Sequence, residues 1–111
     1  MNKFSAPFEA KYNRYFEKQL AKLRKRDKTR AERILKRTQE ICATPYDVDT
    51  RFAKGEYRGK REGRAGDDRF LFVVCKQCRE LGHMSMNGCP ICSEIKDETV
   101  IFVMMIEGHK Y

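Results

Sequence analysis

Two apolar runs, RFLFVV at residues 69–74 and TVIFVMMI at residues 99–106, decide the fold of this 111-residue chain. Both runs are rich in β-branched and aromatic residues, which favour strands. Only residues 75–98 separate them. We therefore predict two adjacent strands, which we take to be antiparallel.

Four cysteines lie between these predicted strands in the pattern C-x2-C-x10-C-x2-C, namely Cys75, Cys78, Cys89 and Cys92. We expect each C-x-x-C pair to form a tight turn that aims both sulfurs at one point. Tetrahedral coordination by four thiolates suits zinc, and a closed shell of four cysteines is typical of structural sites. The spacing predicts a zinc knuckle at residues 75–92, inserted between the last two strands, with one structural zinc ion that staples them together.

Other interpretations of the cysteines remain open. Iron in a rubredoxin-like site is the main alternative, and a redox dithiol pair is the third. His83 lies inside the loop and has the chemistry to replace one cysteine, although a solvated loop histidine is the simpler interpretation. The fifth cysteine, Cys42, falls in a helical pattern, and we interpret it as a small apolar core residue.

The first part of the chain has a helical pattern. Apolar residues recur at spacings of four and three at Phe8, Tyr12, Phe16, Leu20 and Leu23, which predicts an amphipathic helix with Ser5 as N-cap and Pro7 in its first turn. Asp27 is expected to cap a second helix, which Pro45 ends. Its predicted apolar face is Ala31, Ile34, Leu35, Thr38, Ile41 and Cys42. The short connection predicts an antiparallel helical hairpin, followed by a loop at residues 46–52 and a glycine-rich, basic, strand-like segment.

The chain is basic, with 24 Lys plus Arg against 16 Asp plus Glu and a formal charge of +8. Ten of these basic residues lie between residues 18 and 37, which favours a polyanionic partner, nucleic acid first. No apolar run approaches the roughly 20 residues of a membrane span, and the N-terminus has no apolar core of a secretory signal. We therefore expect a single-domain cytoplasmic protein, residues 1–111, with no membrane partner.

Three segments stand out in the middle and at the end of the chain: KGEYRG at residues 54–59, EGRAGDDR at 62–69 and IEGHKY at 106–111. Together they resemble motifs of the RelE/ParE toxin superfamily. The family pattern is approximately Arg-x-Arg-x-Gly-Asp-Tyr-Arg, and residues 62–69 of this chain read EGRAGDDR. Residues 54–59 (KGEYRG) resemble its lead-in, and residues 106–111 (IEGHKY) resemble its closing element. Outside the cysteine insert the resemblance spans nearly the whole chain. Glu62 and Asp68 depart from it, since they replace an arginine and a tyrosine.

The resemblance implies an α+β fold in which the helical hairpin packs on a small twisted antiparallel sheet. It also implies a toxin of a type II toxin–antitoxin system, which inhibits translation by cleaving mRNA on the ribosome and is neutralised by a cognate antitoxin. Arg64 and Arg69 would hold the scissile phosphate, with His109 as acid or base and Tyr111 as its partner. The residues expected to bind flanking RNA are Lys54, Arg58, Lys60, Arg61 and Lys110.

Two other functions remain open at this point. The chain is alternatively a noncatalytic zinc-containing RNA- or ribosome-binding module, which the Glu62 and Asp68 departures favour. It is alternatively a ParE-like inhibitor of DNA gyrase, with the same fold and no nuclease chemistry.

Overall fold

The computed structural model describes residues 8–44, 51–53, 55–83 and 94–106 of the chain, and within these ranges the side chains of Arg51 and Glu56 are not described. A helical hairpin covers one face of a five-stranded sheet, which confirms the predicted α+β fold. The helices are α1 (Arg14–Arg26), α2 (Lys28–Ala43) and the short α3 (Cys75–Glu80). The strands are β1 (Glu9–Tyr12), β2 (Arg51–Phe52), β3 (Arg61–Ala65), β4 (Asp68–Val74) and β5 (Thr99–Met105). None of the described helices is long and apolar enough to cross a membrane.

The sheet has the strand order β1-β5-β4-β3-β2. β4 pairs with β5 antiparallel, as the two apolar runs predicted, with a register shift after Leu71. β1 pairs with β5 in parallel, so the sheet is mixed rather than wholly antiparallel. β1 and β2 lie at opposite edges of the sheet, so the chain has to cross one face between them, and the helical hairpin forms that crossing.

The hairpin of α1 and α2 confirms the predicted pair of helices and the predicted cap. The Asp27 carboxylate accepts a hydrogen bond from the Arg30 backbone N–H at 3.1 Å, which satisfies one free donor of the first turn. The predicted apolar face of α2 is also confirmed, with Leu35 partly buried and the others buried. Cys42 belongs to this core, where burial raises the pKa of its thiol to about 11.

The start of the chain differs from the prediction. Residues 9–12 form strand β1 and not the first turns of a helix, which begins only at Arg14, after Asn13. The reason is the free edge of β5. The Glu9 N–H donates to the Glu98 carbonyl and the Asn13 N–H to the Phe102 carbonyl, so the segment pairs backbone groups that would otherwise be buried without partners. Ser5 and Pro7, the predicted N-cap and first-turn residue, lie outside the described residues.

Two further segments also differ from the sequence expectation. Arg51 and Phe52, predicted as part of a loop, form β2 against β3. The first C-x-x-C pair lies in α3 and not in a tight turn, with Cys75 directly after the last residue of β4. A 3-10 turn, Gly55–Tyr57, lies between β2 and β3 in the basic segment predicted to be strand-like.

An aromatic cluster joins the hairpin to the sheet. Phe16 of α1 meets Phe70 of β4 edge-on at 6.2 Å between ring centroids, and Phe102 of β5 lies within 6.1 Å of both rings. The buried Gln19 amide adds a polar link: it donates to the Met105 carbonyl at 2.9 Å and accepts from the Met105 N–H at 2.7 Å. α1 is therefore held to β5 by both ring packing and paired amides.

The β3–β4 hairpin depends on two glycines. Gly66 has a φ of 63°, in the left-handed region that favours glycine, and it is the first of the two turn residues. Gly63 has a different role, since a Cβ at this position would lie 2.7 Å from the Phe70 ring and 3.1 Å from Ile41. The bare backbone of Gly63 therefore lets α2 and β4 pack closely against β3.

We expect Gly63→Ala to lower the free energy of unfolding by about 1–3 kcal/mol, because the added methyl meets packed core atoms on two sides. Urea denaturation monitored by circular dichroism measures the change. In a Phe70→Leu background the same substitution should cost less, since the smaller side chain leaves room. Equal costs in the two backgrounds would contradict this packing account.

Candidate functional site

Strand alternation separates the two faces of β3 and β4. Phe70, Phe72 and Val74 belong to the core under the helices, so Arg69, Leu71 and Val73 face away from them. On β3, Gly63 contacts Ile41 of α2, so its neighbours Glu62 and Arg64 lie on the face away from the helices. We call this the open face because the helical hairpin does not cover it, although Leu71 and Val73 on it are buried. The three charged residues on it, Glu62, Arg64 and Arg69, lie close to the β3–β4 turn.

Arg64 and Arg69, the two residues predicted to hold a phosphate, are direct cross-strand partners. Like charges opposite each other in an antiparallel pair destabilise the sheet. Arg64 is exposed and makes no ion pair with the described residues. Arg69 is 18% exposed, and its Nη1 lies 3.8 Å from Oε1 of Glu62, which is 13% exposed. Among the described residues, two cations and one carboxylate therefore meet at this corner, with Arg64 exposed and the Arg69–Glu62 pair mostly buried.

The other predicted RNA-binding residues lie elsewhere. Arg61 alternates with Glu62 and so lies on the opposite face, where its guanidinium stacks on the Phe52 ring at 4.8 Å and donates to Gln77 Oε1 at 3.1 Å. Arg58 is exposed and Lys60 half-buried, both just before β3. The structure brings Arg64 and Arg69 together but does not place these three beside them. Lys54, His109, Lys110 and Tyr111 lie outside the described residues.

The structure describes two of the four predicted metal ligands. Cys75 and Cys78 are three residues apart on α3, hence on the same side of the helix, and both are buried. Arg79 of α3 forms an ion pair with Asp97 and donates to the Ile95 carbonyl at 2.5 Å, and the Lys76 N–H donates to the Asp97 carbonyl. The chain that follows the second cysteine pair therefore returns to the helix that carries the first pair.

Cys89 and Cys92 lie outside the described residues. Among those that are described, no three candidate metal-binding side chains come together. His83 contacts the Phe52 ring edge-on at 5.9 Å, and its buried Nδ1 has no hydrogen-bond partner in the part of the chain that the structure describes. The zinc knuckle stays a prediction from the cysteine spacing, with α3 as the element that presents its first two ligands.

Two arginines of α2 contact the β3–β4 hairpin, and the sequence did not predict these contacts. Arg30 binds the Asp68 carboxylate through Nε at 2.9 Å and Nη2 at 2.5 Å, and this contact raises the pKa of Arg30. Arg37 donates through Nε to the Arg64 carbonyl at 3.0 Å. The signal in the sequence was the basic spacing of α2, but only the packing of α2 beside the β3–β4 hairpin reveals the contacts.

Comparison with known proteins supports the fold. No protein-family model matches the sequence. No curated protein matches it significantly. Among solved structures, the chain is similar to one described as a YoeB/ParE toxin from Agrobacterium tumefaciens, with a TM-score of 0.61 and 12% sequence identity over 88% of this chain and 95% of that chain. The similarity agrees with the RelE/ParE-like fold that the sequence motifs implied.

The charge balance of the open face has a consequence for stability. We expect Arg64→Gln to raise the free energy of unfolding by a few tenths to about 1 kcal/mol, because it removes one of two opposed cations. The bond from Arg37 to the Arg64 backbone remains possible in this variant. Urea denaturation at low and at high salt measures the gain, which should shrink as salt screens the charges.

Arg30→Gln is the matched control for that measurement. It makes the same chemical change at an arginine whose charge is paired with Asp68, so it should lower stability by about 1 kcal/mol. If Arg64→Gln destabilises the protein as much as Arg30→Gln does, the two cross-strand arginines do not repel each other appreciably.

Proposed function

We propose that this protein is the toxin of a type II toxin–antitoxin pair and that it cleaves mRNA on the ribosome at the open face. The observation that carries the proposal is the cross-strand pair Arg64 and Arg69, kept in register although two cations face each other. A surface that holds like charges together at a cost in stability is suited to binding an anion. The similarity of the fold to a YoeB/ParE toxin agrees with this proposal.

The chemistry proposed for the site needs no metal ion. The ribose 2′-oxygen attacks the adjacent phosphorus and releases the 5′-oxygen of the next nucleotide, leaving a 2′,3′-cyclic phosphate. The 2′-hydroxyl proton goes to a base, and the leaving oxygen takes a proton from an acid. Guanidinium groups fit the negative charge that grows on the phosphate oxygens. We assign that stabilisation to Arg64 and Arg69, and the proton transfers to His109 with Tyr111.

Glu62 favours a second candidate function. Its carboxylate lies beside Arg69, at a position where the family pattern has an arginine, and it lowers the positive potential of the corner. An RNA- or ribosome-binding module without nuclease activity is consistent with that pairing. The two functions differ in whether bound mRNA is cut, so a cleavage assay separates them.

The first test is mRNA cleavage in a translating ribosome extract, with the RNA ends mapped. The wild type should give codon-spaced cuts only during translation, and Arg69→Ala should slow cleavage by about 10²–10³-fold, as is typical when one transition-state donor is lost. Arg14→Ala, an exposed arginine at the start of α1, is the control and should cut normally. Intact mRNA with wild-type protein bound to ribosomes would favour the binding module, and gyrase inhibition with intact mRNA would favour the gyrase inhibitor.

We also propose that Cys75, Cys78, Cys89 and Cys92 hold one structural zinc ion. The support is the C-x2-C-x10-C-x2-C spacing, the position of Cys75 and Cys78 on one side of α3, and the return of Asp97 to that helix. Zinc bound there would connect the two ends of the segment that joins β4 to β5. It would act on stability and not on the cleavage step, because four thiolates leave no open coordination position.

Removal of the metal should therefore destabilise the protein. We expect a strong chelator, or Cys89→Ser together with Cys92→Ser, to lower the melting temperature by about 10 °C or more. Calorimetry measures the shift, and elemental analysis gives the metal and its stoichiometry. Cys42→Ala is the control and should keep the metal, since Cys42 lies on the buried face of α2. An unchanged melting curve after chelation would argue against a structural metal.

A further inference from the structure

Three arginines of α2 lie along the β3–β4 hairpin. Arg30 pairs with Asp68, and Arg37 donates to the Arg64 carbonyl at 3.0 Å. Arg33 lies between them against the turn, since a Cβ on Gly66 would be 2.9 Å from its Nη1. The residues are three and four apart, so they form one stripe on the helix. α2 thus places a row of guanidinium groups directly beside the strand that carries Arg64.

The row of arginines on α2 continues to Arg64 around the β3 edge of the sheet. β2 pairs only with Arg61 and Glu62, so in the described part of the chain residues 63–65 form the outer edge at this end of β3. Arg64 projects on the open face, while Arg33 and Arg37 lie on the helix side of the same edge. Among the described residues, the two faces of the sheet are therefore linked by positive charge across the edge of one strand.

Most of this charge is not neutralised within the described residues. The Arg30 charge is paired with Asp68, and Arg37 has Glu40 at 3.3 Å. Arg33, Lys36 and Arg64 are exposed and form no ion pair in the described ranges. Lys36 is one turn from Arg33, so the exposed cations of α2 are neighbours. We call Arg33, Lys36 and Arg37 the edge cluster.

The chemistry of this surface favours RNA over an acidic protein segment. Arginine forks match phosphate oxygens in bidentate geometry. A peptide would also need apolar anchors, and the large exposed apolar side chains of the described residues, Tyr15, Phe52 and Leu81, do not lie on α2. The edge cluster is also continuous with Arg64, where the scissile phosphate is proposed to bind.

We propose that the RNA strand leaves the open face across the β3 edge and continues along α2, with its phosphates on the edge cluster. This inference rests on the proposed function, because it extends the path of the same substrate. It adds RNA-binding residues on a helix to those expected on the strands and loops. The edge cluster binds the RNA phosphates and sets the direction in which the strand leaves, whereas cleavage takes place at the open face.

The test is the binding of a short, fluorescent, single-stranded 2′-O-methyl RNA, which lacks the attacking hydroxyl, measured by anisotropy over a range of salt concentrations. The test variant is Arg33→Glu with Lys36→Glu, which spares the bond from Arg37 to the Arg64 backbone. The control is Lys18→Glu with Lys22→Glu, the same charge change on the exposed side of α1. Because α1 packs over β5, the control lies about two strand spacings from the β3 edge.

We expect the α2 variant to weaken binding at least about tenfold more than the α1 control, with a salt slope smaller by about 1.4, since each phosphate contact on a single strand contributes about 0.7. Circular dichroism should give the same helix content for both variants. Equal weakening by the two variants would overturn the inference, because only net charge would then matter.

Two further outcomes separate this inference from the proposed function. If Arg64→Ala weakens RNA binding but the α2 variant does not, the path along α2 is wrong and the open-face site stands. If the wild type binds no RNA and instead binds a poly-glutamate peptide through the edge cluster, both proposals fail. In that case the cluster is a docking site for an acidic protein segment.

Discussion

The register of the β3–β4 hairpin is the constraint on which the rest of the structure depends. Gly66 allows a two-residue turn, and Gly63 lets the Phe70 ring and Ile41 pack against its backbone. Together they put Arg64 opposite Arg69 and leave both on the open face. A one-residue slip of β4 against β3 would turn Arg69 toward the helices and put Phe70 and Phe72 on the open face.

β4 connects the stability of the fold to the proposed site, because its two faces have different roles. Phe70, Phe72 and Val74 pack under the helices, where the rings of Phe16 and Phe102 join them. Arg69 directly precedes Phe70 in β4, so its backbone is held by the same packing. A charged side chain at such a position has little freedom to move, which suits a group that has to meet a phosphate in one orientation.

Glu62 and Asp68, which depart from the RelE/ParE pattern that the sequence resembles, have structural roles in the fold. Asp68 pairs with Arg30 and thereby ties α2 to the start of β4. Glu62 lies beside Arg69 and offsets part of the repulsion between the two cross-strand arginines. Both substitutions add a carboxylate next to an arginine, and neither removes Arg64 or Arg69. The surplus of positive charge therefore remains, on the open face and around the β3 edge.

The sequence alone was enough to predict α2 with its Asp27 cap and the pair β4 and β5, because local periodicity and capping residues specify them. That Arg64 and Arg69 act together was expected only from the resemblance to RelE/ParE toxins. The sequence was not enough for residues 9–12. There a spacing of four suggested a helix, but the free edge of β5 required a strand. The pairing of Arg61 with Phe52 and Gln77, and the placement of Arg33 and Arg37 beside β3, were likewise decided only by tertiary structure. These contacts join segments far apart in the chain, and no local pattern records which edge a strand will cover or which hairpin a helix will lie against.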